Sequence, residues 1–91
     1  MKEITLTTGI TERIGMLTIA QVDKVVALCG VDIPQATLLA CLTSINKARG
    51  LEAPMTLEEF KEKYAVPEAD ELFFEIFKYS GMRMGEVTAN P

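Results

Sequence analysis

The chain has 91 residues, 48% of them hydrophobic and 24% charged, with a formal net charge of −4. This is the composition of one folded domain and not of a disordered segment. With no histidine, no tryptophan and two cysteines, it lacks most of the groups that exchange protons near neutrality, act as activated nucleophiles or hold transition metals, so no enzymatic activity, cofactor or metal is expected.

The acidic balance opposes attraction to nucleic acid backbones and to anionic lipid surfaces. No apolar run approaches the roughly 20 residues of a membrane span, and the opening Met1-Lys2-Glu3-Ile4-Thr5 lacks the regions of a signal peptide. A cytoplasmic protein is expected. Cys29 and Cys41 stand among apolar residues at helical spacing with no CxxC pairing, as small, reduced, buried side chains do. A domain this short buries a modest share of its surface, which makes a homo-oligomer one route to stability.

In chain order, Lys2-Glu3-Ile4-Thr5-Leu6-Thr7 alternates polar and apolar residues and Thr8-Gly9 supplies a turn, so a strand is expected, with Ile10 to Ile14 returning as the second half of a hairpin. Glu12 would then share a face with Ile10 and Ile14, whereas a short helix would join those two isoleucines at i and i+4. Both readings of residues 10–14 stay open.

Thr18 and Gln21 form a capping box for a first helix over 19–29, with Gly30 placed for a left-handed stop. Its stripe of Ile19, Val22, Val25, Val26 and Cys29 reads as core. Asp32 caps a second helix over 33–49, with Pro34 in the first turn and Gly50 as its stop. Leu38, Leu39, Cys41, Leu42 and Ile45 make a broad apolar arc suited to a central element, and Ala36 and Ala40 allow close approach.

Thr56 and Glu59 open a third helix over 57–64 with a capping box, and Met55 can pack on Phe60 as a hydrophobic staple. Pro67 begins a fourth helix that ends before Gly81, with Glu68, Asp70 and Glu71 at its positive end and Leu72, Phe73, Ile76, Phe77 and Ser80 facing inward. Phe74 lies off that stripe, with Asp70, Glu71 and Lys78; it either packs under the hairpin or tail, or serves as an exposed contact. Residues 82–91 read as a flexible tail. The expected fold is therefore mainly α: one domain over 1–81, a bundle of about four helices (18–81) with a short N-terminal β-hairpin or strand (1–15).

The acidic clusters Glu58-Glu59 with Glu62, and Glu68 with Asp70-Glu71, sit in first helical turns, where carboxylates serve caps and dipole. Neither has EF-hand spacing, and no glycine segment has a phosphate-loop pattern. Residues 25–39 resemble a helix-turn-helix, but its would-be recognition helix has Gln35 and Thr37 as its only base readers and carries no Lys or Arg before Lys47, which suits a packing hairpin better than a DNA reader.

The run Leu38-Leu39-Ala40-Cys41-Leu42-Thr43-Ser44-Ile45-Asn46-Lys47-Ala48-Arg49-Gly50, followed by Pro54-Met55-Thr56-Leu57-Glu58-Glu59-Phe60, resembles the helix, Asn and Arg-Gly turn, and Pro-Thr-x-Glu-x-Phe segment of phage tail assembly chaperones and minor tail proteins. The Thr-rich strand pair leading to Leu17-Thr18-Ile19 is similar to another branch of that family. The fourth helix departs from the pattern by continuing well past the Glu-x-Phe segment. The resemblance implies a nonenzymatic helical protein that coats the tape measure protein during tail assembly, before tail-tube subunits replace it. Phe74, Leu39, Met82 and Met84, apolar and least explained by the core stripes, are the expected partner contacts. Two alternatives accompany this expectation: a small phage or mobile-element inhibitor whose carboxylates meet the basic surface of a host nucleic-acid enzyme, and a helix-turn-helix regulator.

Overall fold

Strands β1 (Lys2–Thr5) and β2 (Thr11–Ile14) pair antiparallel, with Lys2 opposite Ile14 and Thr5 opposite Thr11, in a computed structural model that describes residues 1–50 and 53–81. The connection closes through Leu6 N–H to the Ile10 carbonyl and Gly9 N–H to the Leu6 carbonyl, both 2.8 Å, with Gly9 at φ 96°. Alternation puts Ile4, Leu6, Glu12 and Ile14 on the buried side. Of residues 10–14, Thr11–Ile14 form the strand and none forms the short helix, and the acid that made the two readings compete, Glu12, is buried at 7% exposure.

Four helices follow: α1 (Ile19–Cys29), α2 (Ile33–Arg49), α3 (Leu57–Lys63) and α4 (Val66–Tyr79). The two capping boxes form as the sequence requires. Thr18 accepts from Gln21 N–H while the Gln21 side chain accepts from Thr18 N–H, and Thr56 and Glu59 do the same. At α4 the cap residue is Ala65, which has no side-chain oxygen, so only the reciprocal half is made, from Ala65 N–H to the Glu68 carboxylate at 2.7 Å. Gly50 and Gly81 terminate α2 and α4 with φ of 69° and 89°.

Gly30 does not provide the left-handed stop expected for α1. Its φ is −77°, and the chain turns instead through Val31 and Asp32 N–H groups that both donate to the Leu28 carbonyl, at 2.9 and 2.7 Å.

The core joins Ile4, Leu6 and Ile14 of the hairpin segment to Cys41 and Ile45 of α2, Phe60 of α3, the following Tyr64, and Leu72, Ile76 and Phe77 of α4. Met55 and Phe60 are both in it, as a staple requires. The face of α2 that is buried is built mostly of small residues, Ala36, Thr37, Ala40, Cys41 and Ser44, with the larger Ile45, which lets α4 and β2 pack against it closely; Leu38, Leu39 and Leu42 are half-buried around it. Ser44 fixes β2 to the helix: its hydroxyl donates to the Gly15 carbonyl at 2.6 Å, while Gly15 N–H meets the Ser44 carbonyl at 2.9 Å.

Helix α1 departs from expectation. It packs chiefly on α2, and of its apolar stripe only Val25 is fully buried. Ile19 is 83% exposed and Val26 48%. A single neighbouring helix covers an arc narrower than the apolar stripe, so the flank of the stripe faces solvent.

Candidate functional site

Val66, Asp70, Phe74 and Lys78 recur every fourth residue of α4 and so share one face; all four are exposed. At its N-terminal end this face borders a groove of about 340 Å³ lined by Ile33, Pro34, Thr37 and Leu38 of α2 and Val66, Ala69 and Asp70 of α4. Both helices begin with a β-branched aliphatic residue and a proline, Ile33-Pro34 and Val66-Pro67. Below those first turns the helices close on each other, with the Cys41 thiol donating to the Ala69 carbonyl at 3.6 Å. Above that contact none of the described residues covers Ile33, 64% exposed, or Val66, 75% exposed.

The polar groups of this groove are mostly occupied. Thr37 is buried and its hydroxyl donates to the Ile33 carbonyl at 3.0 Å. Asp32, at the helix start, accepts from Gln35 N–H at 3.2 Å. Asp70 is the one charged side chain in the lining. Beneath it the Cys41 thiol is pushed up to about 12, first by burial and then by the Asp70 charge.

The other acids at this end of α4 have partners in the hairpin connection. Glu71 accepts from Thr7 N–H at 3.0 and 3.1 Å and from the Thr7 hydroxyl at 3.0 Å, and Glu68 accepts from the Thr8 hydroxyl at 2.6 Å. The bond from Ala65 N–H and then that from Thr8 hold the Glu68 carboxyl below its ordinary range. These carboxylates, expected to serve cap and dipole, also hold the two ends of the fold together.

Of the partner contacts expected from sequence, Phe74 is 51% exposed, with the Lys78 ammonium 5.3 Å from its ring centroid. It does not pack under the hairpin. Leu39 is half-buried and lines a separate groove of about 160 Å³ with Gln21, Lys24 and Thr43, so it is not brought together with Phe74. Met82 and Met84, and the tail reading of 82–91, lie outside the described residues.

Sequence reasoning missed Ile33, Leu38 and Val66. The available signal was the paired aliphatic-proline helix starts, which place an apolar side chain in a first turn where it lies beyond the core. Thr37, one of two base readers in the helix-turn-helix reading, is withdrawn from solvent, leaving Gln35 alone exposed.

Two larger depressions, of about 530 and 500 Å³, share Arg49 and are lined largely by charged side chains of both signs, among them Glu58, Glu62 and Lys63 in the first and Glu3, Glu12 and Arg13 in the second. Both abut residues committed to holding the loop after α2. Asn46 donates to the Met55 carbonyl at 3.0 Å and accepts Met55 N–H at 2.7 Å, and Arg49 donates to the Ala53 carbonyl at 3.0 Å. Among the described residues no group of three His, Cys, Asp or Glu side chains could hold a metal ion, and no helix is long and apolar enough to cross a membrane. Cys29 and Cys41 are both free.

The architecture of the described residues is that of a small helical domain: four helices with a two-stranded antiparallel hairpin at the N-terminal end. Compared with protein-family models, curated proteins and solved structures, the chain matches none.

Proposed function

We propose that this chain is a nonenzymatic protein-binding module that receives an amphipathic helical segment of a partner in the groove between α2 and α4. Following the resemblance carried by residues 38–60, the partner is a phage tape measure protein, which the chain covers during tail assembly. The observation that carries the reading is the open aliphatic groove at Ile33, Leu38 and Val66, continued along α4 to the exposed ring of Phe74. Helical segments dock in such grooves through apolar residues one turn apart, and shallow contacts of this kind, repeated along a long partner, hold by number and remain displaceable.

Light scattering on the chain alone and after co-expression with tape measure segments tests the proposal. The expected result is a complex with many copies per partner, lost in a Val66→Ser, Phe74→Ser double variant whose circular dichroism is unchanged. A chain that ignores every segment overturns the tape measure reading, and a complex that survives the double variant overturns the groove as its site.

A further inference from the structure

The groove is not uniformly apolar. Its walls are aliphatic, but where it opens onto the outer face of α4 it carries the carboxylate of Asp70. Three acids crowd the start of this helix, and their situations differ. Glu68 and Glu71 are engaged by Thr8 and Thr7, whereas Asp70 has neither an ion pair nor a side-chain hydrogen bond among the described residues. The nearest lysine along that face, Lys78, sits over Phe74 and is paired with Glu75 at 3.4 Å.

An unpaired carboxylate beside apolar walls loses hydration when a ligand covers the walls, and a purely apolar ligand gives it nothing in return. A cation at that point restores the lost interaction, and a like charge adds repulsion. The spacing of the face sets where the cation must lie. Val66, Asp70 and Phe74 are four residues apart on α4, about 6 Å per step, and a helix lying alongside presents its own positions i, i+4 and i+8 at the same interval.

We infer that the occupant of the groove is a basic amphipathic helix, with an aliphatic residue at i for Ile33, Leu38 and Val66, a lysine or arginine at i+4 for Asp70, and a second apolar residue at i+8 for Phe74. This rests on the groove reading above and adds the charge and register of the partner. A second copy of the chain fits this description poorly. Two of its described helices place an exposed aliphatic residue four positions before a lysine: in α3 Leu57 precedes Lys61, but that helix ends at Lys63, before its i+8 position, and in α1 Ala20 precedes Lys24 and Leu28, with Leu28 half-buried against the core.

Fluorescence anisotropy with labelled helical peptides, identical except for Lys, Gln or Glu at i+4 between two leucines, decides the matter. The Lys peptide is expected to bind the intact chain about two- to fivefold more tightly than the Gln peptide, with the Glu peptide weakest and the differences shrinking as salt is raised. Asp70→Lys should reverse the order and Asp70→Asn should abolish it. Equal binding of all the peptides, weakened alike by Val66→Ser, overturns the charge inference and leaves the groove reading standing. Binding that is absent, or indifferent to Val66→Ser, overturns both.

Discussion

Glu12 of β2 accepts the hydroxyl hydrogen of Tyr64, which follows α3, in a buried bond between residues 52 apart in sequence. Lys63 completes the site with an ammonium 3.1 Å from the same carboxylate oxygen. The pair fastens the hairpin to the third helix and explains how a carboxylate is accommodated on the apolar side of the strand. Tyr64→Phe should cost about 1–3 kcal/mol, because it leaves a buried acceptor short of a partner. Lys63→Met, which removes a half-exposed charge, should cost less than about 1 kcal/mol. Urea denaturation with an unchanged slope measures both.

Burial and the Asp70 charge raise the Cys41 thiol from 9.0 to about 12. In the unfolded chain it ionises from about pH 9, while in the folded chain it keeps its proton, so unfolding releases a proton and stability falls as pH rises from about 9 to 12, by up to about 1.4 kcal/mol per pH unit. Tyr64, held protonated by burial and by Glu12, adds to the loss above its ordinary range. Urea midpoints under reducing conditions should decline over that interval, more shallowly in Cys41→Ala. A flat profile would contradict the burial of this thiol.

At Gly15 a Cβ would stand 2.9 Å from the Lys47 Cβ and 3.2 Å from the Ser44 carbonyl oxygen. Gly15→Ala should therefore push β2 away from α2 and cost about 1–3 kcal/mol. Ser44→Ala should cost about as much by a different route, leaving the Gly15 carbonyl without its hydroxyl donor. Because the two changes disrupt one contact, their combined effect should fall short of the sum, and a double-mutant cycle reads the difference.

Asn46 binds both backbone groups of Met55, so Asn46→Ala should lower stability by about 1–3 kcal/mol. For a domain of this size that is a fall in Tm of about 4–8 °C per kcal/mol. Asn46→Asp, which retains the acceptor but not the donor, should lie between the two in thermal unfolding.

On α1, Ile19→Ser and Val26→Ser should each change stability by less than about 0.5 kcal/mol. Val25→Ala, at the one fully buried position of that helix, should cost about 1.5–3 kcal/mol. Equal losses at all three positions would mean that the outer flank of α1 is covered in solution.

What could be read directly from the residues was local. Thr18 with Gln21 and Thr56 with Glu59 announce helix starts because donor and acceptor lie three residues apart, and both boxes form. The fold class and the inward stripe of Leu72, Ile76 and Phe77 follow from periodicity. Where reading stopped short, the cause was distance along the chain. Nothing near Glu12 announces Tyr64, and nothing near Gly15 announces Ser44. The stripe of α1 was overread because periodicity records which side of a helix is apolar but not how many neighbours will cover it. At the candidate site Phe74 stands out in the sequence as the aromatic that fits no stripe, whereas the pairing of Ile33 with Val66 depends on two helix starts lying side by side, which no local pattern encodes.

Thr7 and Glu71 are 64 residues apart, and Leu17 N–H is held by the Ser80 hydroxyl at 3.0 Å. During synthesis the hairpin emerges well before its anchors at Glu71 and Ser80. Helices α1 and α2 can pair as they leave the ribosome, since they are adjacent in sequence, and β2 can pack on α2, while the anchors at Thr7 and Leu17 must wait for α4 and the residue after it. Contacts between elements far apart in sequence close slowly relative to local ones. The junction of the hairpin segment with α4 is thus the latch of the fold, shut only once both have been made.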